Sequence, residues 1–142
     1  MRLPDVNVLL YAADRNSPHH ERTAPYVESM LGGRETVALA WVVALGFIRL
    51  ATKPQLMLSP LTVARALDVV DGWLARPNVV VVHPTDRHAA VLRELLVPLG
   101  TGVGRVQDAH LAALAIEHGA ELVSADRDFA RFSGLRWHDP LH

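Results

Sequence analysis

Residues Arg105–Phe129 read RVQDAHLAALAIEHGAELVSADRDF, and this stretch decides the fold. Leu111, Leu114, Ala115 and His118 recur at helical spacing, which predicts a helix with one mostly apolar face. Asp108 stands where that helix would begin, at a natural N-cap position. Gly119 can take the left-handed conformation that ends such a helix. A short apolar run, Ala120 to Ala125, then reads as a buried strand, and Asp126 and Asp128 follow at once. In an open α/β sheet, helix N-termini and strand C-termini lie along the same edge. Asp108, Asp126 and Asp128 are therefore expected to face one another there.

The rest of the chain repeats this alternation. Strands are expected near residues 2–5, 36–40, 79–83 and 120–125, with a last edge strand at Arg136-Trp137-His138. Pro4 lacks an N–H for a ladder and argues against a long central strand at the N-terminus. The apolar run from Val6 predicts a buried helix, with Asp5 at the junction between strand and helix. Ser17-Pro18 predicts a helix start that leads to about Leu31, Trp41 to Thr52 is a strongly apolar helix, and Ser59-Pro60 predicts another helix through Ala75. Thr85 or Asp86 should cap a helix running to about Val97. The loop Pro98 to Gly104, with three glycines, is expected to be mobile and leads directly towards Asp108. Alternating strands and helices predict an α/β fold with a mainly parallel sheet of four to five strands.

At 142 residues the chain has the length of one domain, read here as residues 1–142. Half of its residues are hydrophobic and a fifth are charged, an ordinary folded composition. The formal net charge is −1, so no global basic field announces a polyanionic partner; any such contact falls to local arginines, since Lys53 is the sole lysine. Cysteine is absent, which excludes disulfides and thiolate metal sites. The longest apolar run, Val37 to Ile48, is interrupted by Gly46 and is too short to span a bilayer. Asp5 and Asn7 interrupt the stretch that a signal peptide would need to be apolar, so the expected location is cytoplasmic.

Asp5, Asp108, Asp126 and Asp128 thus sit at three junctions predicted to share one sheet edge. Singly, each reads as a cap, because Asp favours such positions for backbone reasons. Together they carry a cost. Two carboxylates about 4 Å apart repel by roughly 4 kcal/mol at an effective dielectric near 20. Such a cluster needs protons or a cation, and an all-oxygen donor set suits Mg²⁺ or Mn²⁺. A divalent ion held this way binds a phosphate oxygen and acidifies a bound water for in-line attack, the usual chemistry of phosphodiester hydrolysis.

Three segments now matter together: Asp5-Val6-Asn7, Gln107-Asp108-Ala109-His110-Leu111 and Ser124-Ala125-Asp126-Arg127-Asp128-Phe129. In order and spacing they resemble the signature segments of PIN-domain ribonucleases, above all the VapC toxins of type II toxin–antitoxin systems. Trp41, the segment Phe47 to Pro54 and the closing Gly134-Leu135-Arg136-Trp137 resemble one VapC subgroup, and the likeness runs over essentially the whole chain. The resemblance implies a three-layer α/β/α domain and a Mg²⁺-dependent endoribonuclease. It also implies a homodimer neutralised by a cognate VapB antitoxin, which could insert an arginine into the acidic pocket. By the same resemblance Asp5 and Asp108 are the principal metal ligands, Asp126 is the third acid and Asp128 a further member. Asn7 and Ser124 would orient these carboxylates, although turn capping accounts for both equally well.

The chain departs from the family pattern once. Many PIN nucleases carry a Glu in the third helix, where this chain has Gly46-Phe47-Ile48-Arg49. The pocket then holds one less negative charge, unless Glu21 reaches in from another helix. RNA would be gripped by Arg49, Lys53, Arg105 and Arg127, which flank the acidic edge, or these residues balance nearby aspartates and helix ends. Two rival readings remain. A receiver or dehalogenase-type phosphoryl-transfer domain also places Asp at strand ends, but needs a late lysine, and none follows Lys53. A catalytically weak PIN-like module binding RNA or protein would account for Gly46. An antitoxin would carry a DNA-binding arm and a disordered tail; neither is found, so DNA binding by this chain alone is not expected.

Overall fold

Val37–Ala40 and Val79–Val82 are unbroken apolar runs without alternation, the pattern of strands in a parallel sheet covered on both faces. A computed structural model describes residues 1–101 and 104–142. Its strands are β1 (Arg2–Pro4), β2 (Val37–Ala40), β3 (Val79–Val82), β4 (Glu121–Val123) and β5 (Trp137–His138). They form one sheet in the order β3-β2-β1-β4-β5, and every pairing is parallel. The helices are α1 (Val6–Ala13), α2 (His20–Leu31), α3 (Trp41–Ala51), α4 (Val63–Leu74), α5 (His88–Leu96) and α6 (Val106–Glu117).

The chain steps from β1 outward to β2 and β3, then crosses back to β4 and β5 on the other side of β1. Right-handed crossovers therefore put α1–α4 on one face and α5–α6 on the other. This is the expected three-layer α/β/α arrangement. It makes the junction of β1 and β4 the point where the winding reverses, and their carboxyl ends open a crevice there. The core around it is built from Leu3, Val8, Phe47, Leu114, Leu122 and Phe129, each at most 1 % exposed.

β1 is central despite Pro4, because Pro4 is its last residue. The next amide, that of Asp5, donates to the Val123 carbonyl at 2.8 Å and continues the ladder that proline cannot. Gly119 ends α6 with φ 65°, as expected. Trp137 donates its indole N–H to the Ser124 carbonyl at 2.9 Å, tying β5 to the end of β4.

Several helix starts lie further along than the sequence suggests. Ser17-Pro18 forms a turn before α2, in which the Ser17 hydroxyl accepts from the His19 amide. α4 begins after Thr62, whose hydroxyl caps the Arg65 amide, and not at Ser59. α5 follows Arg87, and Thr85 forms a turn before it, its hydroxyl accepting from the Arg87 amide at 3.2 Å and donating to Glu117. α6 instead starts earlier. Its N-cap position is Arg105, so Asp108 is not the cap but lies in the first turn, where the helix dipole still favours a carboxylate. α6 is also buried nearly all round, from Leu111 to Ala115, and His118 lies beyond its end with Nε2 against the His83 carbonyl at 2.7 Å. The glycine loop expected to be mobile falls partly on Gly102 and Val103, outside the described residues. Among the described residues no helix is long and apolar enough to cross a membrane.

Candidate active site

Asp5 closes β1 and caps α1, its Oδ1 accepting from the Val6 amide at 2.7 Å. Its Oδ2 accepts from the Ser124 hydroxyl at 2.8 Å and from the Asn7 amide at 3.3 Å. Asn7 donates to Ser124 Oγ as well, at 3.1 Å, and accepts from the Ala125 amide at 3.2 Å. Ser124, wholly buried at the end of β4, also accepts from the Asp126 amide. Asn7 and Ser124 thus join the ends of the two strands at the winding reversal. They do more than cap local turns.

Asp126 heads a short 3₁₀ turn, Arg127–Arg131, with Oδ1 accepting from the Asp128 amide at 2.9 Å. Asp108 approaches from the first turn of α6. Asp5 and Asp108 line one small pocket of about 90 Å³ together with Val6, Gly46, Arg49 and Gln107. Burial holds the Asp5 carboxyl above its ordinary value against the hydrogen bonds from Ser124 and Val6, and repulsion from Asp108 and Asp126 adds to the rise. Asp126 goes the other way. Burial pushes its carboxyl up, but the Asp128 amide and the hydrogen bond and charge of Arg105 outweigh it and leave a net depression.

Arg105 explains the contrast. Its Nη1 donates to Asp108 Oδ2 at 2.8 Å and to Asp126 Oδ2 at 2.9 Å, and its Nη2 pairs with Asp128. These hydrogen bonds, that to Asp126 foremost, raise the guanidinium further above its already high value. Of the four basic candidates, Arg105 therefore turns inward on the aspartates. Arg49 is exposed at the pocket rim, and Lys53 and Arg127 are exposed to solvent. Among the described residues, no three carboxylate or imidazole groups close on a single point as a metal shell; the guanidinium lies between Asp108 and Asp126.

The third-helix departure is visible directly. A side chain at Gly46 would meet Val6, its Cβ 3.4 Å from Val6 Cγ2, in the pocket that Asp5 also lines. Glu21 is exposed on α2 and is not among the residues lining the pocket. Gln107 was not singled out from the sequence. It lines the pocket only because α6 begins one turn before it was expected to.

The PIN domain family model matches residues 2–135. The chain is 49 % identical over 140 residues to Ribonuclease VapC37 of Mycobacterium tuberculosis, covering 99 % of this chain and 97 % of that protein. The chain belongs to the PIN-domain family of VapC ribonucleases. A second relative, Ribonuclease VapC33 of the same species, is 39 % identical over 141 residues, with 99 % of each chain covered. Among solved structures, VapBC2 of Rickettsia felis bound to a promoter DNA fragment matches in fold, with a TM-score of 0.71 at 20 % identity over 97 % of each chain. Membership carries the activity class: this VapC protein is an endoribonuclease, the toxin of a toxin–antitoxin pair. The fold class and family that the sequence pointed to are thus borne out, and the phosphoryl-transfer rival falls.

Proposed function

We propose that this VapC protein hydrolyses RNA phosphodiester bonds with a divalent cation, Mg²⁺ or Mn²⁺, held by Asp5, Asp108 and Asp126, with Asp128 as an outer member. The observation that carries this reading is that Asp5 and Asp108 line one pocket at the winding reversal, with Asp126 tied to Asp108 through Arg105. There Asp5 is held above its ordinary value partly by the other two. The donor set is oxygen throughout, which fits a hard cation. A bound cation would neutralise this charge, draw in a phosphate oxygen and acidify water. The chain's own residues prepare the place: Ser124 and Asn7 fix the Asp5 carboxylate, and the Val6 amide holds its second oxygen. Arg49 at the rim, with Lys53 and Arg127, would take the flanking phosphates, since the overall charge of −1 offers no broader attraction.

The wider reading takes residues 1–142 as one domain acting in the cytoplasm as a homodimer, and as neutralised by a VapB-type antitoxin. The test is cleavage of total cellular RNA by antitoxin-free protein with Mg²⁺ or Mn²⁺, with EDTA, and with Asp5→Asn and Asp108→Asn variants. Discrete fragments that vanish with EDTA and in both variants are expected. Cleavage that survives both substitutions would sink the site assignment. No cleavage together with no cation binding would favour a weak RNA- or protein-binding module, with Gly46 as its cause.

A further inference from the structure

Each aspartate of the cluster has few oxygens left to offer. Asp126 spends Oδ1 on the Asp128 amide, which leaves Oδ2, and Oδ2 is the atom that Arg105 Nη1 holds at 2.9 Å. The same Nη1 takes Asp108 Oδ2 at 2.8 Å, so one guanidinium nitrogen bridges the two carboxylates that a cation would have to bridge. Nη2 meanwhile pairs with Asp128, whose other oxygen is 3.6 Å from Arg131. Among the described residues, Asp5 has only neutral donors: Val6, Ser124 and Asn7. Positive charge is thus placed on the α6 and β4 side of the cluster and not at Asp5.

The Arg105 side chain is 34 % exposed and its partners 33–40 % exposed, so the bridge is open to solvent. Ion pairs in that setting are weak and readily exchanged. Arg105 occupies the residue before α6 and has no side-chain cap to make, so its long side chain can leave the aspartates without disturbing the helix.

We infer that Arg105 is an internal counter-ion that stands in for the divalent cation. It holds Asp108, Asp126 and Asp128 together when no cation is bound, competes with the cation for the same oxygens, and swings out when one binds. The inference rests on the proposed cation site. It leaves the resting protein partly neutralised at its acidic edge and sets a threshold cation concentration for loading.

The test is calorimetric Mn²⁺ binding by the full chain carrying Arg105→Gln, Arg105→Lys or Asp108→Asn, beside the wild type. Circular dichroism verifies folding, and melting is followed in EDTA and with Mn²⁺. Arg105→Gln should bind Mn²⁺ about tenfold tighter, the scale of a few exchanged surface ion pairs. It should melt lower in EDTA and gain more from Mn²⁺ than the wild type does. Arg105→Lys keeps the charge but not the planar bridge and should fall between, and it carries the test if Arg105→Gln does not fold. If both Arg105 variants bind Mn²⁺ no tighter than the wild type while Asp108→Asn loses binding, the counter-ion role is overturned and the cation site stands. If the wild type binds Mn²⁺ no better than Asp108→Asn, the site itself falls and the inference with it.

Discussion

Helix α6 carries an acidic residue near each end, and the two are held in opposite ways. At its C-terminal end, the Glu117 side chain is fully enclosed and wholly satisfied. Its Oε1 accepts from the Thr85 amide at 2.9 Å and the Thr85 hydroxyl at 2.6 Å, and its Oε2 accepts from His88 Nδ1 at 2.5 Å. His88 Nε2 in turn is hydrogen-bonded to His110 Nδ1 at 2.9 Å. Burial pushes Glu117 up, but Thr85 and His88 outweigh it and hold the carboxyl below its ordinary value. At the other end, Asp108 belongs to a half-open cluster in which Asp5 is held above its ordinary value. The closed network fastens α5 to α6 and engages both oxygens of Glu117. The open cluster sets four carboxylates against the inward-turned Arg105, and the negative charge left over is what the proposed cation would take up.

Three substitutions and one titration test this contrast. The largest effect belongs to Asp5→Asn, which keeps the cap to Val6 but removes a charge. RNA cleavage should fall by about a thousandfold, while melting in EDTA changes little, because relieved repulsion offsets the acceptor that Ser124 and Asn7 lose at Oδ2. A clear loss of stability would make Asp5 a fold residue first. Glu117→Gln should do the reverse. It strands His88 and costs about 3 kcal/mol in denaturant unfolding, with cleavage at low temperature retained. Retained stability would remove the network's structural role.

Acid should separate the two ends as well. Glu117 is depressed, so its stabilisation is complete above its unfolded value of 4.5 and is lost as pH falls through its folded value. Asp5 is raised, so its contribution to stability runs the other way: it improves as pH falls through its folded value towards 3.8. Because protons then compete at Asp5, Mn²⁺ binding should weaken at a pH where ordinary carboxylates are still ionised. Comparing the melting profile of wild type with Glu117→Gln, and the Mn²⁺ isotherms over the same pH series, checks both signs. The smallest effect is expected from Gly46→Glu, which puts a carboxylate beside Asp5. Mn²⁺ affinity should rise about fivefold, and an unchanged affinity would mean that position 46 does not reach the cation.

Much of this contrast was legible beforehand at one end of α6 only. Asp5, Asp108, Asp126 and Asp128 announce themselves because acids at strand and helix junctions follow local backbone rules, and topology then carries them to one edge. Glu117, His88 and His110 gave no such signal. Glu117 sits in an alanine-rich helix, and its partners lie on another helix and two turns back along its own. Helix starts slipped for a related reason. Ser17, Ser59 and Thr85 are good caps in isolation, but the observed starts follow where the helices pack.

The succession of strands and helices, the parallel class of the sheet and the chain positions of the acids are all written in the amino-acid order. Periodicity, glycine and proline chemistry and capping act over a few residues, and the chain states them openly. It took the assembled fold to make β1 central, to bond Ser124 to Asp5 across 119 residues, and to turn Arg105 onto three aspartates. Those outcomes depend on which strand ends the crossovers bring together. They also depend on which charges must neutralise one another once water is partly removed, and no short stretch of sequence records that competition.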